Sequence, residues 1–482
     1  MLMIPDTRKR WLAFMVLCLG TLMIVLDSTI VNVALPSIRV DLGFTETSLA
    51  WVVNAYLLTF GGFLLLSGRL GDIFGHRRLF LTGLAVFTLA SLVCGLAPSQ
   101  LALIAARAVQ GLGGAVVSAV GLSLMMNLFT EQTDRAKAMG LYGFVAAGGG
   151  SIGVLLGGLL TGTLNWHWIF LVNIPIGILV TVLSVLLLPR KDEVEKDKHI
   201  DVAGAITVTS SLLLAVYAIV NGNDAGWLSV QTLVLLGASL ILLGLFVFIE
   251  ARVRNPLVPL GLFRLRNLAS ANLIGILWAA AMFAWFFLSA LYMQLVLGYQ
   301  PLEVGLAFLP ANLIMAVFSV GLSAKLVMRF GIKRPLTIGL LLAGLGLALF
   351  VFAPTNGSYV MHVLPGMVLL GVGAGMGFNP VLLAAMSDVK PHESGLASGL
   401  VNTSFMMGGA LGLAILASIA SARTHGLLAS GVGQLAALNG GYHAAFLAGA
   451  LSAALAGLLG WLLLRVDSPK ESDQHTSTSL NL

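Results

Sequence analysis

The sequence predicts an all-α integral membrane protein of fourteen transmembrane helices, arranged as two six-helix bundles with two further helices inserted between them. Three observations predict it. The first is composition: 58% of the 482 residues are hydrophobic and only 10% are charged, with a mean hydropathy of +0.98. Soluble chains carry roughly 25% charged residues, so the bilayer, not water, must solvate this fold. The second is that apolar runs of about 20 residues, the length needed to cross a bilayer, recur fourteen times. They lie near 11–36, 48–68, 78–97, 101–128, 138–162, 168–188, 202–221, 229–250, 268–297, 302–326, 334–353, 361–386, 395–421 and 442–464. The third is where the charges fall. With the N-terminus in the cytoplasm, the inner segments are 1–10, 69–78, 129–137, 189–201, 251–267, 325–334, 387–394 and 465–482. Of the 26 lysines and arginines, all but Arg39, Arg107 and Arg423 lie in them. One miscounted span would reverse every later loop and erase this positive-inside bias. Both termini are therefore expected in the cytoplasm.

Taken in order, the first apolar run follows the basic residues Arg8, Lys9 and Arg10 and resembles a signal peptide. It continues to about Leu35 without a convincing cleavage site, which makes it a retained first span. Cys18 and Cys94 fall inside spans and read as small packing residues, not as a disulfide. Trp166 and Trp168 flank the outer turn before span 6 and suit an interfacial aromatic belt. The charged run 190–201 links spans 6 and 7, and 250–267, with its prolines and four arginines, is expected to follow the membrane surface. The net charge of +6 is scattered through short loops and does not point to nucleic acid.

An internal repeat organises these elements. GRLGDIFGHRR (68–78) aligns with AKLVMRFGIKR (324–334), matching Phe74 and Gly75 to Phe330 and Gly331, and Arg69, Arg77 and Arg78 to Lys325, Lys333 and Arg334. The two loops follow spans 2 and 10, so the order is six spans, two inserted, then six. The segments are 1–188 and 268–464 for the bundles, 189–267 for the linker with the inserted pair, and 465–482 for a cytoplasmic tail. Transporters built from repeated halves bind substrate between them near the midplane.

The loop 68–78 resembles motif A of the major facilitator superfamily. LDSTIVNVALP (26–36) resembles the span-1 motif of its fourteen-span drug:proton antiporter branch, RAVQGLGG (107–114) is similar to motif B, and WHWIFLVNIP (166–175) resembles that branch's turn before span 6, with His167 where arginine is common. In the second half the match is chiefly span count and GLVN (399–402) with Gly408 and Gly409. Motif C of span 5 keeps Gly149, Gly153, Gly157 and Gly158 as a close-packing face, but its proline position is Val154, and a proline there would have bent the helix. The resemblance implies proton-coupled export of amphipathic drugs or dyes by alternating access, with lipophilic cations as the cargo. The alternative within transporters is a proton-coupled carrier for a metabolite, sugar or organic acid. It further implies a bacterial inner membrane location, a monomer in contact with lipid, and no cofactor besides the proton gradient. For motif A it implies a conformational latch of Gly68, Asp72, Gly75, Arg77 and Arg78, the glycines permitting the turn and Glu131 or Asp134 completing the charge network.

Asp27 is the only carboxylate well inside a span and Arg107 the only deeply placed base; each lies nine residues from the outer end of its helix, at Pro36 and Pro98. At 1.5 Å per residue both are about 13 Å deep, so they can pair if spans 1 and 4 are neighbours. Buried charge is costly and marks function by default. Asp27 is expected to exchange the proton beside Arg107, against the plainer reading of a structural ion pair. Aromatic and methionine side chains make adaptable surfaces for flat cations. Trp278, Phe283, Trp285, Phe286, Phe287 and Tyr292 on span 9, and Asn402, Phe405, Met406 and Met407 on span 13, are thus candidates for the substrate path, although such residues more often pack helices. No Walker A loop, HExxH or Cys/His metal cluster is present in the sequence, which argues against an ATP-driven pump, a membrane enzyme or a metal site.

Overall fold

A computed structural model describes residues 7–129, 131–189, 201–253, 256–390 and 393–465. The expected linker 190–200 and all of the tail but Arg465 lie outside the described residues. Helices α1 (Thr7–Leu42), α2 (Trp51–Phe74), α3 (His76–Gly95), α4 (Gln100–Leu128), α5 (Gln132–Thr163) and α6 (Asn173–Leu187) form the first set. The inserted pair is α7 (Val202–Ala225) and α8 (Val230–Arg252). Helices α9 (Arg266–Leu291), α10 (Pro301–Val317), α11 (Lys333–Phe350), α12 (Leu364–Met386), α13 (Ser394–Ala429) and α14 (Gln434–Leu463) complete the chain. Twelve helices among the described residues are long and apolar enough to cross a membrane. The other two expected spans are α5, whose apolar part is Ile152–Thr163, and α10. Expected as one helix over 302–326, the tenth span is instead broken. A π turn at Phe318–Leu322, where Gly321 leaves helical geometry, separates α10 from a short helix at Ser323–Phe330.

Local chemistry sets the helix ends. Ser99, Asp201 and Ser229 accept the third backbone N–H of α4, α7 and α8, satisfying a donor with no partner inside the helix. Pro301 opens α10 where its missing N–H costs nothing. The repeated loops end their helices alike: Gly75 and Gly331 have φ of 91° and 76°, and their N–H groups donate to Gly71 and Val327 at 3.0 and 2.9 Å. Gly75 therefore makes the turn unaided. Gly68, expected to share that role, sits within α2 with open space where a Cβ would project, so nothing there requires glycine.

Helix neighbours also repeat. α1 packs on α5 as α9 packs on α13, α2 on α4 as α10 on α12, α3 on α4 as α11 on α12, and α3 on α6 as α11 on α14. The two sets meet along α5 with α10 and α2 with α13, while α7 lies against both α2 and α13 and carries α8 on its far side. Lipid removes the hydrophobic drive between helices, leaving close packing to hold them. A Cβ at Gly157 would meet the Ile30 carbonyl oxygen at 2.5 Å, one at Gly153 would run into Thr29, and one at Gly149 would touch Val25 at 3.0 Å. Those three glycines seat α5 on α1. Gly158 instead faces the Pro301 carbonyl at 2.6 Å, joining the two sets, and Val154 is fully buried beside them.

Candidate functional site

Asp27 and Arg107 are both 0% exposed, and their partners reach well beyond their own two helices. The chain supplies those from five helices. Arg107 Nη1 lies 2.6 Å from Asp27 Oδ2, so the two mid-span charges form a direct ion pair between α1 and α4. One turn along α4, Gln110 donates from Nε2 to Asp27 Oδ1 at 2.6 Å and to Ser91 Oγ of α3 at 2.8 Å, while its Oε1 accepts from Arg107 Nη1 at 2.7 Å. Asn173, the first residue of α6, donates to Asp27 Oδ1 at 2.8 Å. Arg107 Nε donates to the Val52 carbonyl of α2 at 2.9 Å. Its guanidinium carbon lies 4.4 Å from the Tyr56 ring centre and 5.6 Å from that of Phe170, a cation–π enclosure.

The result is a carboxylate receiving three donors and, among the described residues, facing no hydrogen-bond acceptor. An ionised Asp27 fits it without loss; a protonated one has to surrender a donor contact, because its new O–H finds only N–H groups around it. Sequence reasoning found the two charges and missed Gln110, Asn173, Ser91 and Tyr56. Gln110 carried a usable signal, since it lies one helical turn from Arg107 in an apolar run.

The remaining site residues lie apart from this centre. In the loop 68–78, Asp72 sits 3.5 Å from His76 one turn later. Arg69 donates to the Pro256 carbonyl at 3.3 Å, and Arg77 donates to Val185 at the end of α6 at 2.9 Å, a favourable place for a cation. Arg78 and Glu131 are exposed, and Asp134 pairs with Lys137 at 4.0 Å. The loop residues thus touch α6 and the 256–258 segment as well as one another. The turn before α6 differs from expectation. Trp166 is only 3% exposed and donates to the exposed Asp41 at the end of α1 at 2.9 Å. Trp168, 43% exposed, suits the interface. His167 lies 3.8 Å from Asp41 and hydrogen-bonds the Gly95 carbonyl at 3.0 Å. Cys18 and Cys94 are both free and buried.

The aromatic candidates divide into sets. Phe283, Phe378 and Phe405 meet through rings 5.9 and 5.4 Å apart, while Trp285, Phe286 and Phe308 form another group, Phe286 stacking on Phe308 at 5.4 Å. Met406 and Met407 press on Gly61 of α2, across the joint between the two sets of helices. Trp278 is buried, and its indole N–H finds no partner among the described residues. Tyr292 donates to the Pro354 carbonyl at 3.0 Å, and the exposed Asn402 donates back to Ser398 at 3.1 Å.

Comparison with known proteins bears on both fold and activity. Residues 17–413 match the family model of the Major Facilitator Superfamily. The chain is 38% identical to the puromycin resistance protein pur8 of Streptomyces alboniger, covering 98% of this chain and 95% of that one. It is 40% identical to the cephamycin export protein CmcT of Amycolatopsis lactamdurans, covering 86% of each. An auto-inhibited peptide transporter of the POT family matches in structure with a TM-score of 0.66 over 96% of this chain and 98% of that one; at 17% identity the likeness concerns the fold.

Proposed function

We propose, from the premise that this chain belongs to the Major Facilitator Superfamily, that it is a multi-pass transporter that exports antibiotics or other amphipathic drugs, driven by protons bound and released at Asp27. Export rests on relatives named for resistance to one antibiotic and export of another. The proton step rests on one observation: a fully buried carboxylate held by three donors beside a fully buried arginine. Taking up a proton neutralises Asp27, breaks its pairing with Arg107 and loosens α1 from α4 and α6. Losing it restores the network. Since the network is sealed in this conformation, the proton enters only when those helices part, which couples it to alternating access.

In this reading the pair of helix sets flanks the drug path, with Met406, Phe405 and Phe283 near the α2–α13 joint as its apolar lining. The loop 68–78 acts as the latch on the cytoplasmic side, where both termini also lie. The bacterial cytoplasmic membrane is the location, the proton gradient the energy source, and the monomer in lipid the working unit; no cofactor is invoked. The test is efflux of a fluorescent cationic dye or puromycin in energised inverted vesicles, with and without a protonophore. Proton-dependent movement supports the reading, and movement of neither compound under a full gradient refutes it.

A further inference from the structure

At the end of the bundle that carries the loop 68–78, two acidic side chains from the inserted helices are buried against each other. Asp201, just before α7, is 5% exposed, and Glu250, near the end of α8, is 3% exposed. Each spends one oxygen on backbone: Asp201 Oδ1 accepts from Gly204 N at 2.7 Å, and Glu250 Oε2 accepts from Val258 N at 3.0 Å. The other two, Asp201 Oδ2 and Glu250 Oε1, have no hydrogen-bond partner among the described residues. Both point at the bare face of Gly204, where a Cβ would lie 2.6 and 2.8 Å from them, so the two carboxyls converge on one spot. The residues that bond or follow them, Val258 and Ala205, belong to an apolar cluster with Leu257, Leu66 of α2 and Leu400 of α13.

Among the described residues, no cation is paired with either acid. On the elements packed around the pair, Arg69 of α2 is turned to the Pro256 carbonyl and Asp72 lies beside His76. Arg252 of α8 covers the Phe248 ring at 4.3 Å, and Arg264 is exposed. Glu393, before α13, has a partner of its own. The charge that bears on Glu250 is that of Asp201. Two ionised carboxylates here would leave two buried acceptors facing each other, whereas a single proton turns the contact into a charge-assisted O–H···O bond that satisfies both.

We propose that Asp201 and Glu250 share one proton in the folded protein, a proton-binding site separate from Asp27 that clamps the inserted helices and the 256–258 segment to α2. The shared proton closes the start of α7 on the end of α8. Through Val258 and Pro256 it also fixes the strand of chain that Arg69 grips. Because α7 lies against both α2 and α13, the site joins the inserted pair to the seam between the two sets of helices. The inference depends on neither the cargo nor the direction of transport, so a failed efflux assay leaves it standing.

The test uses the purified full-length protein in detergent at neutral pH. Infrared spectroscopy should show the C=O stretch of a protonated carboxyl in the wild type and in Asp27→Asn, and its loss in Glu250→Gln. Gln and Asn copy a protonated carboxyl and bring their own N–H donor, so Glu250→Gln and Asp201→Asn should each melt like the wild type at neutral pH. On raising the pH, the wild type should lose stability relative to either amide variant, because a proton held only in the folded state stabilises it below its titration and ceases to do so above it. A band unchanged in Glu250→Gln overturns the proposal, as does a band lost in Asp27→Asn alone. Marked destabilisation of both amide variants at neutral pH also overturns it.

Discussion

Replacing Gln110 with leucine isolates what the neutral amide contributes to the buried charge network. Leucine is one bond shorter but comparable in volume and suits the surrounding apolar helix, so the substitution removes hydrogen bonds with little loss of volume. Two of those bonds involve charged groups, at 2.6 Å to Asp27 and 2.7 Å from Arg107. A hydrogen bond to a charged group is worth about 1.5–3 kcal/mol, giving a gross loss of about 3–6 kcal/mol. Water cannot substitute, because Asp27, Arg107 and Gln110 are all 0% exposed, and leucine's own packing returns only part of the loss. A net destabilisation of at least about 2 kcal/mol is therefore expected. Denaturation of the purified full chain in detergent measures it, with Val109→Leu, on the exposed face of the same helix, as the control. If Gln110→Leu and the control unfold within about 0.5 kcal/mol of the wild type, the spread expected of inconsequential changes, the amide does not hold the network and the argument fails.

Three further outcomes follow from the same structure. Asp27→Asn should abolish protonophore-sensitive efflux. It should also cost stability, by about 3–5 kcal/mol, because Arg107 is left buried without its counter-charge; undiminished efflux would remove Asp27 from the coupling. Gly75→Ala and Gly331→Ala, at φ of 91° and 76°, should each cost about 1–3 kcal/mol. Gly68→Ala, inside a helix with open space around it, should be neutral or gain up to about 1 kcal/mol, and melting of the three variants side by side decides the point. Gly153→Val should force α5 off α1 at Thr29 and cost at least about 1–3 kcal/mol, read as lost folded yield or a lowered melting temperature.

The architecture was readable because lipid imposes simple rules: a span must be apolar for about 20 residues, and basic residues stay on one side. Those rules speak for long segments and fail at short ones. The tenth span reads as continuous apolar sequence, yet it breaks at Gly321, and only backbone geometry shows that. At the site, Asp27 and Arg107 stood out because an isolated charge in an apolar run is costly. Gln110 and Asn173 did not, since a neutral amide is cheap enough to occur for many reasons and only packing brings it to a carboxylate. Trp166 misled because interfacial statistics cannot see that packing buries the ring while Asp41, itself exposed, accepts its N–H. Asp201 and Glu250 border the charged linker and the surface connection in sequence, where acidic residues look solvated. The fold instead buries both, at 5% and 3% exposure.

The central claim is that outward movement of a drug is coupled to inward movement of protons through Asp27. Proteoliposomes of the purified protein, with a pH-sensitive dye trapped in the lumen and puromycin supplied on one side, test it directly. Addition of drug should produce proton movement in the opposite sense, collapsing with a protonophore and absent from the Asp27→Asn protein at equal reconstitution. Drug movement with no accompanying pH change, or with the same change in Asp27→Asn, would contradict it.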